Sequence, residues 1–378
     1  MAGIYIHVPF CKQACYYCNF HFSTSLKGKN AFLAALLKEI ALQKDYLASE
    51  EVSTIYFGGG TPSLLTAGEL NSILDQLHQH FSIQPAAEIT LEANPDDISN
   101  EIIAHWKQTG INRLSIGVQS FFEEDLLWMH RAHTATQATA CIQSVQDAGF
   151  NNLTIDLIYG TPTLPDENWH YNVQHAISLG IPHLSCYALT VEPQTALDTL
   201  IRKHKMQPVD PDAQARQFLL LMDWMQQAGY EHYEISNFAQ PGMRSKHNSA
   251  YWQRKKYLGL GPSAHSFNGT ERQWNIANNA LYAQALEKDN IPFEKELLTP
   301  VQRVNEYIMT ALRTSEGIDL SFTAAHFSTA VTQQLERESL RFISQGTLTN
   351  ENGHLVLTRE GKLLADGIAA DLFLEEDM

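Results

Sequence analysis

Along the first two thirds of the chain, short β-branched apolar runs alternate with longer stretches whose apolar residues recur every three or four positions. The runs at 3–8, 53–58, 87–93, 112–118, 152–159 and 183–190 predict strands. Between them, Leu33, Leu36, Leu37 and Ile40 share one face of a helix over 30–47. Ile102, Ile103 and Trp106 do the same in 99–109, where Gly110 is the stop signal. The segment 135–148 carries Ala138, Cys141, Ile142 and Val145 on one face and ends at Gly149. Segments 66–81, 166–179 and 211–228 complete the helices. Such alternation implies a parallel sheet with right-handed crossovers, either an open doubly wound sheet or a curved partial barrel. In both, ligands gather beyond the carboxyl ends of the strands.

After about residue 290 the alternation stops. Helices are expected at 301–313, 320–328, 329–344 and 359–372, with a hairpin over 346–357 turning at Glu351-Asn352-Gly353. Helices followed by a hairpin resemble a small winged-helix domain. The acidic end, Glu375, Glu376 and Asp377, disfavours DNA as its partner.

Length and charge narrow the picture. A chain of 378 residues allows one large domain and a smaller one. A net charge of -16 argues against a nucleic-acid binder, which needs clustered cations facing phosphates. The two basic runs, Arg202-Lys203-His204-Lys205 and Arg254-Lys255-Lys256, read first as solvated faces and second as contacts for a carboxylated ligand. The start has no basic segment followed by a long apolar core, so it does not read as a signal peptide. No stretch approaches the roughly 18 apolar residues of a membrane span. A soluble protein of the reducing cytoplasm is expected.

The chemistry concentrates at Cys11, Cys15 and Cys18. Three thiolates can hold three corners of a four-iron cluster and leave one iron open, which suits S-adenosylmethionine (SAM), the radical SAM pattern. Two alternatives stand beside this: a zinc site completed by His21, and three incidental buried thiols. Cys141, on an apolar helix face, and Cys186, alternating with Leu184 and Ala188, read as core thiols.

Strand ends carry the other signals. Gly58-Gly59-Gly60-Thr61-Pro62 lets a ligand approach bare backbone. Glu92, Gln119 and Asp156 place polar side chains in apolar strands, which is costly unless they line a polar pocket or pair with one another. Arg131, in Met129-His130-Arg131, suits charge-assisted bonds to a cofactor carboxylate.

Taken in order, Tyr5-Ile-His-Val-Pro-Phe-Cys11, the cysteine triplet, Gly58-Gly59-Gly60-Thr61-Pro62 and Asp156-Leu-Ile-Tyr-Gly160 resemble the oxygen-independent coproporphyrinogen oxidase branch of radical SAM proteins. The resemblance runs from about residue 3 to the C-terminus. It implies an α/β fold: a partial (β/α)6 barrel over 1–267, a connecting region at 268–295, and a smaller, winged-helix-like C-terminal domain over 296–378. It further implies a [4Fe-4S] cluster on Cys11, Cys15 and Cys18. SAM contacts would come from Tyr5, Tyr17, Gly59, Gly60, Thr61, Glu92, Gln119, Arg131 and Asp156.

The branch holds a decarboxylating coproporphyrinogen III dehydrogenase and a haem-carrying chaperone. Phenylalanine stands at position 20, where the dehydrogenase has a further cysteine, and only ten residues precede Cys11. His247-Asn248-Ser-Ala-Tyr251-Trp252 resembles the chaperone's haem motif. Haem, a haem-acceptor protein that can be membrane-associated, and a reductant or electron-donor protein are then the implied partners. His247 is the candidate axial ligand and His265 its rival; Tyr251 and Trp252 would meet the macrocycle. The competing reading is that this segment packs a domain junction.

Overall fold

The computed structural model describes residues 1–375, so Glu376 and Asp377 of the acidic end lie outside the described residues. Six strands alternate with helices through the first half: β1 (Ala2–Val8), β2 (Val52–Gly59), β3 (Ile83–Ala93), β4 (Arg113–Gln119), β5 (Leu153–Tyr159) and β6 (His183–Ala188). The intervening helices are α1 (Lys29–Leu42), α2 (Ala67–His80), α3 (Asn100–Gln108), α4 (Glu123–Trp128), α5 (Ala135–Asp147) and α6 (Asp166–Ser178). Capping fixes several starts. Thr66 and Glu69 bond reciprocally at α2, and Thr134 and Gln137 do so at α5.

Past β6 the chain forms α7 (Ala196–Arg202), α8 (Pro211–Gln227), β7 (Glu231–Glu234), β8 (Asn237–Ala239) and α9 (Lys246–Trp252). It continues through β9 (Tyr257–Leu260), β10 (His265–Phe267), β11 (Glu271–Asn275), α10 (Asn279–Glu287) and β12 (Phe293–Leu297). All twelve strands join one sheet in the order β12-β11-β10-β9-β1-β2-β3-β4-β5-β6-β8-β7. Strands β1 to β6 run parallel, and β9 adds parallel to β1. In the segment 268–295, β11 and the start of β12 extend the main sheet, and α10 packs against α1.

The two faces of the parallel strands differ. Ile4, Ile6 and Val8 of β1 are fully buried in an apolar core with Phe32, Leu36 and Ile40 of α1. Each such side chain contributes roughly 2 kcal/mol by leaving water, so the helix-facing layer supplies the stability. On the opposite face the register aligns Tyr5 with Tyr56, Glu92 with Ser115, and Asp156 with Ser185. The sheet curls around this polar face. One cavity is lined from β2, β3, β4, β5 and β6 together, whereas flat strands about 4.8 Å apart would spread these residues over roughly 20 Å.

The C-terminal body has its own apolar core, built on Ile308, Leu335, Phe342, Leu355 and Ile368. It comprises α11 (Pro300–Leu312), β13 (Ile318–Asp319), α12 (Leu320–His326), α13 (Thr329–Ser344), β14 (Leu348–Glu351), β15 (His354–Leu357) and α14 (Ala365–Asp371). Its strands form a separate sheet in the order β13-β15-β14. The ion pair Arg359–Asp223 ties it to α8, at 2.8 Å. Among the described residues no helix is long and apolar enough to cross a membrane.

Candidate functional site

The cysteine loop follows β1 directly and is fastened to the glycines that end β2. Gly60 N–H donates to the Val8 carbonyl at 2.9 Å, and Thr61 N–H to the Phe10 carbonyl at 2.7 Å. A Cβ on Gly60 would stand 2.6 Å from that same Phe10 oxygen, so only glycine permits the approach. Gly59 has φ +106°, and a Cβ there would strike the His7 ring at 2.6 Å.

The far side of the loop is held by the segment after α4. Tyr16 N–H donates to the Met129 carbonyl at 3.1 Å, and the Tyr16 ring stacks on His130 at 4.5 Å. Arg131 then turns inward: its Nη2 donates to Asn94 Oδ1 at 2.6 Å and to the Gly117 carbonyl at 2.8 Å. Burial opposes the charge of Arg131, but neighbouring Tyr17 and Cys15 more than offset it and raise its pKa. The guanidinium is held charged.

These elements enclose a cavity of about 460 Å³ open at the strand ends. Cys11, Cys15, Cys18, Tyr17, Gly59, Gly60, Thr61, Glu92, Gln119, Arg131 and Asp156 all line it. Gln119 adopts φ +65°, a left-handed conformation that glycine favours, and the strain aims its side chain at the cavity. Glu92 accepts the Tyr56 hydroxyl at 2.7 Å and Gly59 N–H at 3.2 Å. Burial nevertheless pushes its carboxyl up to about 7, and that of Asp156 up to about 6. Both carboxyls are thus shifted toward neutral pH by burial, and a cation placed beside them would favour their ionised forms.

The donor set fits a cluster better than a single zinc. Among the described residues, no three His, Cys, Asp or Glu side chains converge closely enough to hold one metal ion. His21 is absent from the cavity lining, and its Nε2 is bonded to Asn279 Oδ1 at 2.7 Å. Three thiols on the wall of a roomy cavity suit a multi-iron group with an open corner. Cys141 and Cys186 are buried in the apolar core, as their spacing predicts.

Tyr5 stands behind the cavity, stacked on Tyr56 at 6.1 Å, with its hydroxyl 3.2 Å from His7 Nδ1. Asn94, Ser115 and Tyr187 line the cavity without having been singled out. Period two gave a usable signal for Ser115, which lies four residues before Gln119 on the same strand face.

The segment His247, Asn248, Tyr251 and Trp252 is elsewhere. It forms α9, whose His247 lies against Gly3 and Thr54 at the N-terminal ends of β1 and β2, opposite the cavity. His247 is 2% exposed; its Nδ1 is bonded with Thr54 Oγ1 at 2.8 Å and its Nε2 with Tyr251 Oη at 2.9 Å. Both ring nitrogens of His247 are hydrogen-bonded within the fold. Burial, with help from the Arg113 charge, lowers its pKa to about 3, so the ring is neutral. Trp252 packs under the Arg313 guanidinium of the C-terminal body, 5.3 Å from the ring centroid.

Fold and pocket together define a radical SAM protein. The model of the Radical SAM superfamily matches residues 5–175, and that of the HemN C-terminal domain matches residues 298–364. The structure is similar to that of coproporphyrinogen III oxidase (HemN) from Escherichia coli, a radical SAM enzyme. The TM-score is 0.85 with 22% identity, covering 98% of this chain and 90% of that one, a likeness of fold alone. Sequence similarity reaches further. The chain is 34% identical to the heme chaperone HemW of Mycobacterium tuberculosis over 98% of its own length and 94% of the relative's. It is 31% identical to that of Escherichia coli over 99% and 98%. The chain belongs to the HemW family.

Proposed function

We propose that this protein binds haem and passes it to an acceptor protein in the cytoplasm, using a scaffold that carries a [4Fe-4S] cluster and SAM. One observation carries the reading. The relatives that match the chain end to end at 30% identity or more are named heme chaperones, whereas the likeness to the oxidase is one of fold. Phe20, in place of a further cysteine, agrees with it.

Within the pocket, Cys11, Cys15 and Cys18 would hold the cluster, and Gly59, Gly60 and Thr61 would hold SAM. When bound, the cluster and SAM supply one-electron chemistry at a carbon–sulfur bond. The residues of the chain bind and orient. Arg131 offers charge-assisted donors to a carboxylate, while Glu92 and Asp156 supply negative charge to balance an amino or sulfonium cation. Tyr17 excludes water from the wall, and Tyr5 backs it through its stacking on Tyr56. An electron-donor protein and a haem acceptor complete the set of partners.

The test is an anaerobic preparation with iron and sulfide counted, then titrated with haem. Stoichiometric haem uptake by cluster-loaded protein, with no protoporphyrinogen formed from coproporphyrinogen, SAM and reductant, is the expected result. Substantial protoporphyrinogen would replace this reading with that of an oxidative decarboxylase.

A further inference from the structure

One short helix joins the two edges of the parallel run. β8 pairs with β6 at one edge and β9 pairs with β1 at the other, and α9 is the helix between β8 and β9 in the chain. Beneath it, the Glu88 carboxylate accepts Lys246 N–H at 3.3 Å and His247 N–H at 3.1 Å. The docking of α9 is incompletely satisfied. Among the described residues, Ser249 Oγ and Trp252 Nε1 are buried without hydrogen-bond partners, which makes the closed position costly. Left-handed backbone at Gly242 (φ +81°) and Arg254 (φ +54°) brackets the helix, and such loop positions are where a segment hinges.

The strands under α9 lead to the pocket. Thr54 is paired with Glu88 and Tyr56 with Thr90 across β2 and β3, and by period two Gly58 and Glu92 follow on the same face. The helix rests on the first pair, and Glu92 lines the cavity roughly 13 Å further along at about 3.3 Å per residue. Tyr56 spans the interval. Its ring stacks on His247 at 5.0 Å, its hydroxyl donates to one Glu92 oxygen at 2.7 Å, and the other Glu92 oxygen accepts Gly59 N–H at 3.2 Å. The column has no slack. A Cβ on Gly58 would stand 2.9 Å from the Tyr5 and Tyr56 rings and 3.2 Å from the Glu92 carboxyl carbon. One on Gly3 would stand 2.9 Å from Thr54 Oγ1 and 3.3 Å from the His247 ring. A close-packed column passes a shift at one end to the other.

We propose that Tyr56 couples the pocket to α9, so that SAM in the pocket holds the helix closed and weakens haem binding, and haem weakens SAM binding by the same factor. The proposal rests on the haem-carrier reading, with α9 as the haem segment, and adds its control. The Tyr251 hydroxyl, one turn along α9, occupies His247 Nε2 at 2.9 Å, so iron takes that nitrogen only after the helix rearranges. A ligand along Gly59 and Glu92 fixes the acceptor of the Tyr56 hydroxyl, and the Tyr56 ring then keeps His247 in its stack. Two ligands that favour opposite positions of one helix oppose each other, and such linkage is reciprocal. Tyr56 does not line the cavity; it is a positioning residue acting through Glu92 and His247. Gly58, unlike the two glycines after it, serves by leaving room for this column.

The test titrates anaerobic, cluster-loaded protein with ferric haem, read by the Soret band, with and without saturating SAM. No reductant is added, so SAM stays intact. Amide exchange over 246–252 is followed by mass spectrometry in the same samples. In wild type, SAM should weaken haem binding about fivefold or more and slow exchange in α9. Equilibrium dialysis of SAM, with and without haem, should return the same factor. Tyr56→Phe keeps the stacked ring and removes only the bond to Glu92, so its factor should fall to about one. Thr54→Val, which frees His247 from β2, should lower the factor as well. Unchanged or tighter haem binding with SAM in wild type would overturn the coupling alone, and a full factor kept by either variant would overturn the route through this column. No haem uptake by folded wild type would overturn the proposed function and this inference together.

Discussion

Arg131 Nη1 lies 3.4 Å from the Sγ of Cys15, while the other arm of the same guanidinium bonds Asn94 and Gly117. One side chain thus ties the cysteine loop to the ends of β3 and β4. Arg131→Met keeps the length but strands the Asn94 and Gly117 oxygens, at an expected cost of about 1–3 kcal/mol of stability. Loss of its charge-assisted bonds should weaken SAM binding roughly tenfold or more. Equilibrium dialysis of cluster-loaded protein reads this, with iron content as the control. Unchanged SAM affinity would remove Arg131 from the site.

Two glycines make a matched pair. A Cβ at Gly60 meets backbone oxygen at 2.6 Å, whereas one at Gly68, in α2, meets nothing within 4 Å. Gly60→Ala must push Phe10 away and drag the cysteine loop with it, costing about 1–3 kcal/mol and lowering iron retention. Gly68→Ala should stabilise by about 0.5–1 kcal/mol and leave iron untouched. Thermal melts with iron counts on both variants check the contrast.

A buried carboxyl gives the fold a pH dependence. Glu39 of α1 accepts the Tyr282 hydroxyl at 2.6 Å, Gly261 N–H at 2.8 Å and the Asn275 amide at 2.6 Å, so it clamps the β9–β12 extension onto α1. Burial outweighs these donors and raises its carboxyl from 4.5 to about 7. The folded state therefore binds more protons than the unfolded chain between these values. Its contribution is fully present below pH 4.5 and is lost as pH rises through about 7. Wild type should lose on the order of 3 kcal/mol across that window from this group, and Glu39→Gln should show a flatter profile. Urea unfolding from pH 5 to pH 8 measures both slopes.

His247→Ala should destabilise the protein by about 2–4 kcal/mol, since it opens a cavity and leaves Thr54 and Tyr251 without their bonds. The wild-type ring is buried and neutral with its pKa lowered to about 3. Its stabilising effect is complete above about pH 6.5 and fades as pH falls toward 3. The variant's deficit should therefore shrink in acid. A deficit independent of pH would mean the ring is not buried neutral.

Much of this was legible in the chain. Leu36 and Ile40 at helical spacing, and Ile4, Ile6 and Val8 at period two, announce helix-facing layers because burial rewards those spacings wherever the element packs. Gly59 and Gly60 were readable because only glycine fits the conformation and the close approach found there. The segment after residue 267 was less legible. Glu271–Asn275 and Phe293–Leu297 are short and charged, and their pairing with each other spans the whole of α10.

The sequence by itself determined the strand–helix order, the thiols at 11, 15 and 18, and the polar residues at successive strand ends. These follow from local spacing and from the cost of burying polar groups without partners. Only the tertiary structure decided which histidine faces solvent. His247 and His265 are chemically the same side chain, yet sheet curvature and α9 enclose one while the β10–β11 face exposes the other. Accessibility arises from how distant elements pack, and no local pattern carries it.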